Sequence, residues 1–600
     1  AAINPIPESG LRARWRRFVR KTIYRTLPEI GHEYITRTKW LFEVMKIVAR
    51  SPEARRLHMD GSTWVVFGLV DDSITDELDG SFVDAIDTLR EHLGEFNLVR
   101  ATDGRIDAYR DVTSSYELYT TTSSDGEPIV TDTFREAVAR LDLTDRTVTQ
   151  STLGDHYLFR TTLGTNTYVD EIDRLGHGQW LQWDVESDQK IPVQFRRLSA
   201  SPEVTSKADV LAKLDATLGD IYEEITDRTK TPIVTMLSGG IDSTLLQTYS
   251  PTRESMSANV TVPEFQSEVE YAKRASQLTG SSHTLIEVPE SSFLGALEET
   301  TEVLGKPPHH LQKVFWDAAF RAGDWQTYIT GIFGDSWFGA EKAKVAALVS
   351  RYPALFNSTL MNLGQRILPA RYSSYAATIS DTAEKLRRPL THPYGLANSF
   401  ACYGNSSLAE TVTSTETTRR RLTDRYRYVN RVVDLPVEGE TTALGAHLEL
   451  GHVINYYMGS SGPLGRQLAQ SRSVTLVSPF TDRRIGTLAL SIPSPTRYLD
   501  GLTPKHHLKS LLESRVPGYD TSKPKEAGGL PTARWMSNGP FSEGFEKYGL
   551  PDHLPDGIRS ELIDSPRMDS WNALCYTIWE DRVLTNPDIR VGSDTKEIVT

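Results

Sequence analysis

The sequence predicts a strand-rich α+β region over residues 61–200, followed by an α/β region over residues 201–600 that becomes mainly helical from about Ala340. Two textures and a junction predict it. Between Thr63 and Phe195, short alternating runs are separated by turn residues, the pattern of half-buried strands: Ile106-Asp107-Ala108-Tyr109, Glu117-Leu118-Tyr119-Thr120, Tyr157-Leu158-Phe159-Arg160 and Trp180-Leu181-Gln182-Trp183. Further on, helical periodicity alternates with apolar runs, in Leu211 to Arg228, Ile233 to Leu237, Val269 to Leu278 and Tyr328 to Gly331. That alternation is the signature of a parallel sheet with crossover helices. Ser199 to Ser206 reads as the linker between the two.

Residues 1–60 read as a basic helical arm, with a second helix expected over Arg37 to Arg50. In Leu11-Arg12-Ala13-Arg14-Trp15-Arg16-Arg17-Phe18-Val19-Arg20-Lys21, the apolar residues fall on one helical face and arginines surround them, the form of an interfacial amphipathic helix. It suits docking on a membrane surface, on an acidic partner, or on the acidic body of its own chain. The polar segment Ser406 to Arg421 reads as a loop, and no internal repeat is found. A net charge of -13 with 24% charged residues fits a globular protein and excludes nucleic acid as the main partner. The two cysteines, Cys402 and Cys575, lie far apart, which excludes a disulfide framework and a cysteine zinc site, so a reducing cytoplasm is the expected location, with the arm allowing peripheral membrane contact. His309-His310 and His506-His507 lack ligand spacing, and neighbours on a helix are expected to point apart.

The most informative stretch is Leu237-Ser238-Gly239-Gly240-Ile241-Asp242-Ser243, directly after the apolar run Ile233-Val234-Thr235-Met236. A strand ending in a Ser-Gly-Gly turn that opens into a helix is phosphate-binding geometry. Glycines let the backbone approach an anion, Ser238 and Ser243 supply hydroxyl donors, and the helix start favours negative charge. Asp242 inside such a cradle is repulsive unless a cation lies between it and the phosphates, which points to Mg²⁺.

This stretch resembles the Ser-Gly-Gly-x-Asp-Ser pyrophosphate loop of ATP pyrophosphatases, and the order of motifs after it resembles the asparagine synthetase B family. Ser267-Glu268-Val269-Glu270-Tyr271-Ala272 is similar to the family's acidic helix start. Thr330-Gly331-Ile332-Phe333-Gly334-Asp335-Ser336-Trp337-Phe338-Gly339 is similar to its Ser-Gly-x-Gly-x-Asp-Glu-x-Phe-Gly loop, Pro479-Phe480-Thr481-Asp482 to its Pro-Phe-Leu-Asp segment, and Lys523-Pro524-Lys525 with Gly528 and Gly529 to its Arg-x-Lys-x-Gly-Phe stretch. The resemblance implies a degenerate Ntn-hydrolase-like glutaminase domain, then an α/β PP-loop synthetase domain of the adenine-nucleotide α-hydrolase type that adenylates a carboxylate with ATP and releases pyrophosphate. It implies ATP or pyrophosphate contacts at Leu237, Ser238, Gly239, Gly240, Asp242, Ser243, Gly331, Gly334 and Lys523. Asp242 and Asp335 would hold Mg²⁺, and Lys525 would stabilise the transition state.

The departures shape the expected function. Trp64 in Trp64-Val65-Val66-Phe67-Gly68 stands where glutamine-dependent members carry their N-terminal nucleophilic Cys, although Arg110-Asp111, Asp132-Thr133-Phe134 and Leu175-Gly176-His177-Gly178 still resemble that domain. No glutaminase is therefore expected. β-Lactam synthetases and lasso-peptide cyclases share that loss. Ile332 replaces the acceptor-loop Glu of asparagine synthetases and the Tyr of β-lactam synthetases, and Ser336 replaces the usual Glu after the Asp. The expectation is an AMP-forming amide synthetase, such as a macrolactam cyclase acting on a precursor peptide. The alternatives are amidation of a sugar acid or other carboxylate by ammonia or an external amine, and a scaffold without catalysis.

Overall fold

The computed structural model describes residues 46–49, 51–59, 61–78, 80–201, 206–308, 310–352, 406–435, 442–458, 461–522, 530–587, 589 and 596–599. The basic arm before residue 46 lies outside them, as do Lys523 and Lys525.

Ten strands come first: β1 (Lys46–Ala49), β2 (Arg55–Met59), β3 (Ser62–Phe67), β4 (Asn97–Thr102), β5 (Arg105–Arg110), β6 (Tyr119–Thr122), β7 (Pro128–Thr131), β8 (Asp173–Arg174), β9 (Gln179–Asp184) and β10 (Gln189–Gln194). Their period-two patterning sorts them into two sheets. One is antiparallel throughout, in the order β10-β9-β5-β4-β3-β2. Val65 and Phe67 of β3, Val99 and Ala101 of β4, Ile106 and Ala108 of β5, and Leu181 and Trp183 of β9 share a buried cluster with Leu118, with Ile47 of β1 and with Val130 of β7. The alternate residues Trp64, Val66, Leu98 and Tyr109 face the other way, onto the helix Phe82–His92 through Phe82, Ala85, Ile86 and Leu89. Ser81 and Asp84 start that helix with a reciprocal capping box.

The helix expected over Arg37 to Arg50 ends differently. Lys46–Ala49 is a strand: β-branched residues favour extended backbone, Ile47 is buried, and Lys46 pairs with Ile129 of β7 in parallel register. The chain end returns to this sheet: Lys596–Val599 pairs antiparallel with β1, Lys46 opposite Val599. Tyr157-Leu158-Phe159, expected as a strand, closes the helix Gln150–Phe159. Its residues from Thr152 to Phe159 are all buried, so no polar face reveals the 3.6 period, and the Thr149 cap and left-handed Arg160 mark its ends.

The second region holds a five-stranded parallel sheet of β11 (Ile233–Met236), β12 (Glu254–Asn259), β13 (Ser282–Glu287), β14 (Thr327–Ile329) and β15 (Thr475–Val477), in the order β13-β12-β11-β14-β15. Helices Ile241–Gln247 and Gln266–Thr279 carry the chain outward from β11 to β13, and Phe293–Leu304 and Gln312–Ala322 bring it back to β14. The order reverses between β11 and β14, and a crevice opens beyond the carboxyl ends of strands at such a switch point. The expected loop over Ser406 to Arg421 is instead two helices, Ser406–Val412 and Thr415–Val432. Ser414 caps the second, Leu408, Ala409 and Val412 are buried, and Arg421 makes a two-pronged bond to buried Asp155 at 2.7 Å, so tertiary contacts override a weak local propensity. No helix among the described residues is long and apolar enough to cross a membrane.

Candidate functional site

Both glycine loops leave the sheet at the switch point. After β11, the Leu237 amide donates to the Met256 carbonyl at 2.7 Å, and the chain then turns sharply. Gly239 has φ +69°, and a Cβ there would lie 2.2 Å from the Tyr271 carbonyl carbon, so the turn needs glycine on two counts. Ser238 folds over the start of the helix Ile241–Gln247: its amide donates to Ser243 Oγ at 3.2 Å, and the two hydroxyls lie 3.2 Å apart. The Tyr519 hydroxyl donates to the Gly239 carbonyl at 2.6 Å, tying the loop to a C-terminal segment.

The loop after β14 packs straight onto this one. A Cβ on Gly331 would stand 2.9 Å from the Ser243 nitrogen and 3.1 Å from Asp242 Cβ, and one on Gly334 would stand 2.8 Å from the Asp242 carboxyl carbon. These two glycines, expected at the phosphates, are what lets the loops touch. Phe333 between them is left-handed, φ 73°, and starts the short helix Gly334–Phe338 that carries Asp335. The side chain of Asp335 is 51% exposed, whereas Ser336 turns inward and is buried. The Ile332 carbonyl accepts from the Ser478 hydroxyl at 2.8 Å.

Asp242 and Asp335 converge on one cation that none of the sequence motifs contains. Lys505 Nζ lies 2.6 Å from Asp242 Oδ2 and also bonds Asp335. Burial pulls its ammonium pKa down, but Asp242 and then Asp335 outweigh this and leave it raised. Lys505 is itself left-handed, φ 56°, at the junction of the hairpin β16 (Leu499–Asp500) and β17 (Thr503–Pro504) with the helix His506–Arg515. The hairpin is anchored by buried Arg497, which pairs with Glu449, and by the Tyr498 hydroxyl, which donates to Glu449 at 3.1 Å. Nothing local in the sequence signals Lys505, since both of its acidic partners belong to loops distant in the chain. His452 stacks on Tyr498 at 4.8 Å, and burial holds it neutral, its pKa lowered to about 4 against the pull of Asp335.

Of the other motifs, Asp482 is an N-cap. It accepts from the Arg484 amide at 2.8 Å, pairs with the Arg484 side chain, and is pressed against Gly94. The Trp337 indole donates to the Phe480 carbonyl at 2.8 Å, joining this segment to the second loop. His506 and His507 do not point apart: both are buried, with ring centroids 3.8 Å apart. Among the described residues no group of three His, Cys, Asp or Glu gathers as a metal cluster. At the start of β3, Trp64 is 4% exposed, its ring 5.9 Å from Phe82, with the Arg100 guanidinium 5.2 Å over both.

A search among curated proteins finds no match. The asparagine synthase family model matches residues 213–566, more than half of the chain. That span holds both glycine loops and Lys505 on one parallel-sheet scaffold and includes Lys523 and Lys525 in sequence, and the chain belongs to the asparagine synthase family.

Proposed function

We propose that this chain is an amide-bond synthetase that adenylates a substrate carboxylate with ATP, releases pyrophosphate, and lets an amine from a source other than glutamine displace AMP, acting as a macrolactam cyclase on a peptide. Family membership supplies the general reaction, ATP-dependent formation of a carbon–nitrogen bond. The observation that carries the finer reading is the meeting of Asp242 and Asp335 at one point beside the Ser238 and Ser243 hydroxyls.

Two carboxylates without thiolate or imidazole fit Mg²⁺, which takes oxygen ligands and fills the rest of its shell with water and phosphate. Asp242 and Asp335 would hold it, and when bound it would neutralise charge on the pyrophosphate oxygens. The chain's own groups do the rest. Ser238 and Ser243 donate to phosphate oxygens at the start of the helix, and Lys505 keeps two like charges together in the free protein. The substrate carboxylate oxygen attacks the α phosphorus as the bond to pyrophosphate breaks. The amine nitrogen then attacks the acyl carbon, AMP leaves, and the amine gives up a proton. Lys523 contacts the phosphates, and Lys525 balances charge as the tetrahedral carbon forms.

An amine source other than glutamine is supported by the start of β3. Trp64 fills the position with packed aromatic surface, and β2 joins β3 in a tight hairpin, Met59 opposite Ser62, so no free α-amine stands there. The buried Ser336 and the engaged Ile332 carbonyl fit a substrate other than ammonia and aspartate. The basic arm, Leu11 to Lys21, docks the enzyme on an acidic surface.

The test is pyrophosphate release over a panel: peptides pairing a free N-terminal amine with an internal Asp or Glu, and sugar acids with ammonia. ATP turnover with the peptides, and a product lighter by one water, is expected. Turnover with sugar acids alone would overturn the cyclase reading, and none with any acceptor would leave a scaffold.

A further inference from the structure

A partly open cavity of about 30 Å³ lies where the two N-terminal sheets meet the helices Thr415–Val432 and Ala443–Met458. Arg110, Arg174, His177, Tyr428, Tyr457 and Phe333 line it. Arg110, at the end of β5, is 2% exposed. Its two terminal nitrogens donate to the Leu175 and Ser114 carbonyls, both at 3.1 Å, while Nε, also buried, meets no protein acceptor. The hydroxyl of Tyr457, 6% exposed, likewise has no protein partner. The Tyr428 hydroxyl accepts the His177 amide at 3.1 Å and lies 2.7 Å from His177 Nδ1, so that pair is already satisfied.

The charges do not balance. Glu117, which also lines the cavity, is bonded by Arg174 at 3.1 Å and Lys306 at 2.7 Å, and Arg110 acts on it electrostatically as a third cation. Asp111, next to Arg110 in sequence, is held by Arg90 and Arg483, and its charge also reaches Tyr457. Among the described residues no carboxylate forms an ion pair with Arg110. A buried guanidinium that shares one carboxylate with two other cations is costly, and a space of about 30 Å³ takes a small ion.

We propose that this cavity binds a small monovalent anion of halide size, held by Arg110 Nε and the Tyr457 hydroxyl. The site is separate from the Asp242–Asp335 centre, and only Phe333, the left-handed residue before Gly334, belongs to both. Its occupant is a counterion that joins the N-terminal sheets to the synthetase helices.

The experiment measures the melting temperature of the full chain at constant ionic strength as sodium gluconate, too large for the cavity, is replaced by sodium bromide. A saturating rise of several degrees is expected, with bromide anomalous density within hydrogen-bonding reach of Arg110 Nε. Arg110→Met should abolish the rise. Tyr457→Phe, which keeps the charge and the ring, should shift its midpoint at least fivefold, and it decides the matter if the arginine variant does not fold. Equal melting in both salts with water alone in the cavity, or an unchanged bromide response in Tyr457→Phe, would overturn the proposal.

Discussion

The mouth of β11 and β14 and the start of β3 are both strand ends where a chain of this family can place chemistry, and they have opposite characters. At the first, glycines strip the backbone bare, two carboxylates share one lysine, and Asp335 stands half in solvent. At the second, a tryptophan, a phenylalanine and an arginine close over each other and leave no reactive group. Like charges held together are costly, and nothing in the parallel sheet requires them there. Under the proposed function the first is the site that acts on a charged substrate, and the second is one where packed aromatic surface stands in place of a reactive group.

The largest expected effect that tests this contrast is at Asp242. Asp242→Ala should lower pyrophosphate release by ~10³-fold, with the circular dichroism spectrum unchanged. Retained release in that variant would remove the metal-holding role. Trp64→Cys, at the closed end, should cost about 3 kcal/mol in denaturant unfolding through the cavity it leaves, and should release no glutamate from glutamine. Glutamate production would show that the plug alone suppressed the reaction. Lys525→Ala should slow turnover by ~10²-fold with ATP binding kept, measured by nucleotide titration beside single-turnover kinetics. Gly331→Ala should cost ~10-fold in rate, since its Cβ drives the Asp335 loop away from Ser243. The smallest effect is at Lys505: Lys505→Met should destabilise the free protein by ~1 kcal/mol, the half-exposed Asp335 limiting the loss. Mg²⁺ should then raise the melting temperature more in the variant than in the wild type. An equal response would show that lysine and metal do not compete for one space.

The open end is legible in the sequence because its demands are local. Gly239, Gly240 and Asp242 lie within four positions, and a strand, turn and helix follow from their order. The parallel sheet is legible for the same reason. Lys505 is not, since its partners are brought to it from two other loops across the switch point, and no local pattern marks it. The helix Gln150–Phe159 looks like a strand because burial on every side erases the polar stripe that reveals a helix. Ser406 to Arg421, which includes the start of the helix Thr415–Val432, looks like a loop for the opposite reason: its threonines and arginines read as solvated, while Arg421, and Tyr428 further along the helix, reach buried partners in the N-terminal region. The plug at Trp64 can be seen as a missing cysteine, but not as an Arg100-capped aromatic stack.

The bond from Tyr519 to the Gly239 carbonyl sets a length limit. Lys525 lies six positions after Tyr519, and six extended steps span about 20 Å at most. Whatever course that segment takes, its lysine is leashed to the phosphate loop from the start. A chain that inserted even a dozen residues between them would roughly triple the leash, and would dilute the lysine near the glycine loop while every contact in the folded sheet stayed the same.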